Sequence, residues 1–148
     1  MPVAIDGVQM AERIANVTPA ARRLMDIFWP GGLTIVLPGK AEVPDLVTGG
    51  SGKVALRVPK HRVPILIIHA SGLPLIATSA NVHGQPSCLT AKDAQAQLGE
   101  SVDLILDGGP AHGFASTVLD MTVLPPRIIR EGQVSRLDLA RVLTLEIN

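Results

Sequence analysis

Thr18-Pro19-Ala20-Ala21-Arg22-Arg23-Leu24-Met25-Asp26-Ile27-Phe28-Trp29-Pro30-Gly31-Gly32-Leu33-Thr34-Ile35-Val36-Leu37-Pro38 is the stretch whose reading decides the fold class. Thr18 supplies an N-cap hydroxyl and Pro19 suits the first turn, where its missing amide costs nothing. Ala20 to Phe28 continues as a helix, and Trp29-Pro30-Gly31-Gly32 stops it sharply. Leu33 to Leu37 follows as a short apolar strand bounded by Pro38-Gly39.

Working outward, Met10 to Ala15 is weakly amphipathic, and Glu42 to Gly52 reads as loop. Val54 to Val58 is a second strand, closed by Pro59. Pro64 to Ala70 suits a short buried helix with Ser71-Gly72 as its stop. Leu75 to Ala77 is a strand that runs into Thr78-Ser79-Ala80-Asn81. Thr90 caps a helix to about Leu98, and Gly99 ends it. Val102 to Leu106, Thr117 to Met121 and Arg127 to Arg130 are further strands, and Leu137 to Leu143 is a closing helix. Helices alternating with strands, then a late run of strands, predict an α/β fold: a mixed sheet flanked by helices in a single domain, 1–148.

Composition agrees with a buried aliphatic core. The 148 residues are 47% hydrophobic, with two Phe, one Trp and no Tyr, so Leu, Ile, Val and Ala must fill the interior. Thirteen basic residues balance thirteen acidic ones, which argues against a broad polyanion-binding surface. One cysteine, Cys88, excludes an internal disulfide and a Cys-based zinc site, and fits a reducing cytosol; it reads as a small semi-buried residue or a reactive thiol. Met1 to Met10 carries Asp6 and no long apolar core, unlike a signal peptide. Val63 to Ala91 is uncharged, but Pro64, Gly72, Pro74 and Gly84 interrupt it before the ~20 apolar residues of a membrane span are reached.

Small polar residues collect at strand ends. Thr78-Ser79-Ala80-Asn81 meets Gly84, Pro86 and Ser87. Such hydroxyls and amides hold a carboxylate or phosphate, or simply satisfy a local turn. Arg57 sits inside the apolar strand, where alternation puts it on one face with Ala55, opposite Leu56 and Val58. A guanidinium there needs an anionic partner: either a structural carboxylate such as Asp103 or Asp107, or a ligand carboxylate gripped in the bidentate geometry that arginine favours. Gly113-Phe114-Ala115-Ser116-Thr117 puts two hydroxyls at a strand start. Arg130 ends another strand, placed to meet a phosphate or to pair with Glu131. His61, His69, His83 and His112 show no metal-ligand spacing, and Lys60-His61-Arg62 reads as a solvated turn. There is no GxGxxG, Walker A or assignable Ser-His-Asp pattern.

Taken in order, five motifs resemble those of the YrdC-like family of threonylcarbamoyl-AMP synthases. Phe28 to Thr34 is similar to "WPGPLT", and Val54 to Pro59 to "VAVRxP". Thr78 to Ser87 is similar to "PSANxSGxPS", Ser116-Thr117-Val118 to "STV", and Ile128 to Gly132 to "ILRPG". The resemblance implies the family's twisted mixed sheet. It also implies formation of L-threonylcarbamoyladenylate and pyrophosphate from L-threonine, bicarbonate and ATP with Mg2+. That product feeds threonylcarbamoyl modification of the tRNA adenosine beside the anticodon, in the cytoplasm, with tRNA or double-stranded RNA and tRNA-modification proteins as partners. By the same resemblance Arg57, Ser79 and Ser116 lie at the threonine, and Lys53, Asn81, Ser87, Thr90 and Arg130 at the nucleotide. No metal held by the protein and no membrane association are expected. The rival readings are a non-catalytic RNA-binding module and the carbamoyl-adenylate domain of a hydrogenase-maturation carbamoyltransferase.

The chain departs from the family pattern at Thr78, His83 and Glu131, where the motifs have Pro, a small residue and Pro. The family's N-terminal "PTDTVYGL" and Lys-x-Arg motifs have no counterpart, since Lys60-His61-Arg62 lies after the Arg57 strand. The resemblance therefore implies a partial domain without the family's N-terminal third. Its expected consequences are an exposed sheet edge open to self-association, weak ATP binding and poor turnover by this chain alone.

Overall fold

The computed structural model describes residues 1–111 and 114–144; His112 and Gly113, both named above, lie outside them. The elements run β1 (Pro2–Ala4), α1 (Val8–Ile14), α2 (Pro19–Phe28), β2 (Leu33–Pro38), α3 (Asp45–Thr48), β3 (Lys53–Arg57), α4 (Arg62–Ser71) and β4 (Leu75–Ile76). They continue with α5 (Ala91–Leu98), β5 (Thr117–Asp120), β6 (Arg127–Arg130) and α6 (Arg136–Leu143). Two compact units result: Met1–Ala77 with the described residues from Ala115 on, and Thr78–Phe114.

The first unit holds one six-stranded sheet in the order β4-β1-β3-β2-β5-β6. β1 runs parallel to β3 and β2 parallel to β5, while the other neighbours are antiparallel. The expected mixed sheet is therefore present. Residues paired across the ladder share a face, so the register sorts every side chain. Val3, Leu33, Ile35, Leu37, Val54, Leu56 and Leu119 fall on one face and are buried. Met10 and Ala11 of α1, Ala21, Leu24 and Met25 of α2, Ile68 of α4, and Leu139 and Leu143 of α6 join the same hydrophobic cluster. The core is thus aliphatic, as the shortage of aromatics predicts.

Local chemistry explains most boundaries. Thr18 Oγ1 accepts from Ala21 N at 3.2 Å and starts α2. At the far end Trp29 N donates to Met25 O, and the indole Nε1 turns back to Leu33 O at 2.8 Å. Gly31 N donates to Val58 O, so the Trp29–Gly32 turn is tied to the end of β3. α3 is a single turn within the stretch expected to be loop. β1 has three residues, too few to show a period in the sequence, yet it lies between β3 and β4.

The second unit contains α5, capped by Thr90 Oγ1 accepting from Asp93 N at 3.1 Å. The strand expected at Val102–Leu106 does not form. Its alternating aliphatics have no neighbouring strand to pair with, and Leu104 and Leu106 are 72% and 55% exposed. Strand preference without a ladder partner does not hold an extended segment in a sheet. No helix among the described residues is long and apolar enough to cross a membrane.

Candidate functional site

The second face of the sheet gathers the polar residues. The register places Lys53, Ala55 and Arg57 of β3 beside Thr34 and Val36 of β2, then Ser116, Val118 and Asp120, then Arg130 of β6. β3 ends where β2 and β5 begin, and β6 ends there too. Arg57, Thr34, Ser116 and Arg130 therefore converge at one end of that face.

Arg57 donates from Nε to the carbonyl oxygen of Gly31 at 2.8 Å. Within its own unit no described residue hydrogen-bonds or ion-pairs with its two terminal nitrogens. Partial burial, and secondarily the charge of Arg130, lower its pKa below the ordinary arginine value. A cation that is half-buried beside a second cation, with no carboxylate against it among the described residues of its unit, is electrostatically incomplete, and an anionic ligand completes it.

Arg130 grips the segment entering β5. Nε and Nη2 donate to Ser116 O at 3.1 and 2.9 Å, and Nη2 also reaches Ser116 Oγ at 3.1 Å. Glu131, the alternative partner, lies 3.9 Å from Arg136 instead. Ser116 Oγ is 2.8 Å from Thr34 Oγ1, and both residues are buried. Gly132 permits this close packing. A Cβ there would strike the backbone of Ala115, Ser116 and Thr117.

Lys53 lies at the other end of β3, four residues or roughly 13 Å from Arg57. Its Nζ stands 3.4 Å from Asp120 Oδ2, and Asp120 Oδ1 accepts from Thr122 N and Oγ1 at 2.8 and 2.6 Å. Burial alone would raise the Asp120 pKa; the Thr122 hydrogen bonds and Lys53 outweigh it and hold the carboxyl below 3.8.

Ser79, Asn81, Ser87 and Thr90 belong to the second unit. Ser87 Oγ donates to Asn81 Oδ1 at 3.3 Å and Asn81 Nδ2 to Val82 O at 2.9 Å, while Cys88 N closes the turn on Ala80 O. Thr90 is occupied as the α5 cap, its hydroxyl also donating to Asp93 Oδ2 at 2.7 Å. Cys88 is half-buried. No cluster of three or more His, Cys, Asp or Glu suited to a metal occurs among the described residues.

The family model Sua5_yciO_yrdC, described as Telomere recombination, matches residues 1–132. The chain belongs to the Sua5/YciO/YrdC family. It is 36% identical over 141 residues to a threonylcarbamoyl-AMP synthase of Pyrococcus abyssi, covering 94% of this chain and 42% of that protein. It is 36% identical over 144 residues to a threonylcarbamoyl-AMP synthase of Bacillus subtilis, covering 95% of this chain and 42% of that protein. The crystal structure of P. abyssi Sua5 complexed with L-threonine superposes with a TM-score of 0.91 at 35% identity, over 99% of this chain and 44% of that one. The chain thus spans about two fifths of the length of these relatives.

Within this Sua5/YciO/YrdC domain, two contributors went unassigned from the sequence. Thr34 lies in the "WPGPLT"-like segment, and its signal is a hydroxyl among four aliphatics in the strand Leu33–Leu37. Gly31 acts through its carbonyl oxygen, which no side-chain reading detects.

Proposed function

We propose that this domain binds L-threonine at the Arg57 end of the sheet and serves the formation of L-threonylcarbamoyladenylate and pyrophosphate from L-threonine, bicarbonate and ATP. The observation carrying this is Arg57: a half-buried cation whose terminal nitrogens are unengaged among the described residues of its unit, beside Ser116 and Arg130. The relatives' shared name and the L-threonine complex of a similar protein support the choice of substrate.

The chemistry assigns the roles. Arg57 clamps the amino-acid carboxylate through two parallel N–H donors. The threonine amine condenses with bicarbonate to a carbamate and water. A carbamate oxygen then attacks the α-phosphorus of ATP, and the bond to the departing pyrophosphate breaks. Arg130 offsets charge on the phosphates, which arrive with Mg2+, while Ser79 and Ser116 orient the amino acid. By the family resemblance, Asn81, Ser87 and Thr90 are assigned to binding the nucleotide. Lys53, which the resemblance also assigns to the nucleotide, is ion-paired with Asp120 in the ligand-free fold. The product supplies threonylcarbamoyl groups for tRNA modification in the cytoplasm.

Calorimetric titration of the chain with L-threonine, with and without ATP and bicarbonate, tests this. Saturable L-threonine binding that Arg57→Gln abolishes is expected. Binding of tRNA with a steep salt dependence, together with no response to L-threonine, overturns the proposal in favour of an RNA module.

A further inference from the structure

Thr34 and Ser116 bring two hydroxyl protons to one shared hydrogen bond at 2.8 Å. One proton is left over, and neither residue has any other described acceptor for it. The two candidates differ in surroundings. Thr34 is 0% exposed on a central strand, whereas Ser116 is 4% exposed just ahead of β5. A buried hydroxyl proton without an acceptor is strongly disfavoured, and of the two only Ser116, at the sheet end beside Arg130, can have its acceptor supplied by a ligand, so the Thr34 proton is spent on Ser116 Oγ.

The second constraint comes from Arg130, whose Nη2 donates to the same Ser116 oxygen at 3.1 Å. A serine hydroxyl has two acceptor lone pairs and one proton. Thr34 and Arg130 occupy both lone pairs.

We infer that Thr34 is a positioning residue that makes Ser116 a donor-only group, so that the ligand atom at Ser116 is a bare oxygen acceptor of an anion and not an ammonium or hydroxyl donor. This deepens the proposed function and rests on it for the identity of the ligand. With Arg57 and Arg130, the end of the sheet then offers donors alone. The carboxylate or carbamate oxygens of the amino acid face Ser116, and its ammonium is turned away from it. Thr34 touches no ligand; it acts by fixing which way the Ser116 proton points.

Neutron diffraction on the ligand-free, deuterium-exchanged chain reads the proton directly, whether or not L-threonine binds. A deuteron on Thr34 Oγ1 aimed at Ser116 is expected, and one on Ser116 Oγ aimed at Thr34 overturns the inference. Calorimetry with L-threonine is the second readout. Thr34→Val keeps the shape and removes the hydroxyl, and is expected to weaken binding roughly threefold to tenfold, the worth of one hydrogen bond. Thr34→Ser, which restores the hydroxyl, returns affinity to within about threefold of the parent. Adding Thr34→Val to Ser116→Ala should cost nothing more, because the two act as a unit. Full additivity, or Thr34→Ser as weak as Thr34→Val, overturns the inference. If the parent chain binds no L-threonine, the proposed function fails while the neutron result still decides the proton's direction.

Discussion

The hydroxyl of Thr117 satisfies both backbone groups of Val134, donating to its carbonyl oxygen at 2.6 Å and accepting from its amide at 3.1 Å. Thr117 lies on the core face at the start of β5 and is fully buried. It thereby anchors the chain leaving β6 beside the segment that carries Ser116.

Thr117→Val keeps the volume and orphans both Val134 groups. Stability is expected to fall by about 1–3 kcal/mol, read by urea unfolding, with Thr117→Ser recovering most of it. An unchanged midpoint for the valine variant would contradict this role.

Arg57→Lys replaces a planar fork by a point charge. Affinity for L-threonine is expected to drop roughly 10- to 100-fold, since hydrogen bonds to charged groups contribute about 1.5–3 kcal/mol. The melting temperature should hold or fall slightly, because lysine keeps the charge beside Arg130 and gives up the Nε hydrogen bond to Gly31 O. Equal affinity in parent and variant rejects the carboxylate clamp.

Asp120 links stability to pH. Its folded pKa lies below the ordinary 3.8, so the stability it contributes is complete above that ordinary value. It is lost as pH falls through the lower folded value, where the native carboxyl also takes up its proton. Carboxyl NMR titration should find Asp120 below 3.8, and Lys53→Met should raise it. Asp120→Asn should flatten the acid limb of stability against pH. An Asp120 titrating at or above its ordinary value defeats this account.

Gly132→Ala places a methyl against the backbone of residues 115–117. Backbone cannot rotate away as a side chain can, so the Ser116 segment must shift. Overpacking of this kind costs about 1–3 kcal/mol, and L-threonine binding should weaken along with it. A variant with parent stability and parent binding would show that the segment has slack.

Much of the fold is legible in the chain because its signals are local. Thr18, Thr90 and Gly72 mark helix ends through their own hydroxyls or backbone freedom, and α2, α5 and α4 fall where these signals put them. The alternation around Arg57 announces its face, since Val54 and Leu56 turn to the core. What fails is non-local. β1 is three residues long and becomes a strand only because β3 and β4 pair with it, whereas Val102–Leu106 has the composition of a strand and no ladder to join.

The candidate site divides in the same way. Arg57, Ser116 and Arg130 stand out as polar residues at the ends of apolar strands, and five ordered motifs place the chain in its family. Thr34 and Ser116 lie 82 positions apart, yet their oxygens meet at 2.8 Å. Only the parallel pairing of β2 with β5 brings that about. Sequence by itself determined which groups could bear charge or donate hydrogen bonds, since that is covalent chemistry. Tertiary structure alone decided which lone pairs are already taken, since that depends on strands distant in the chain lying side by side.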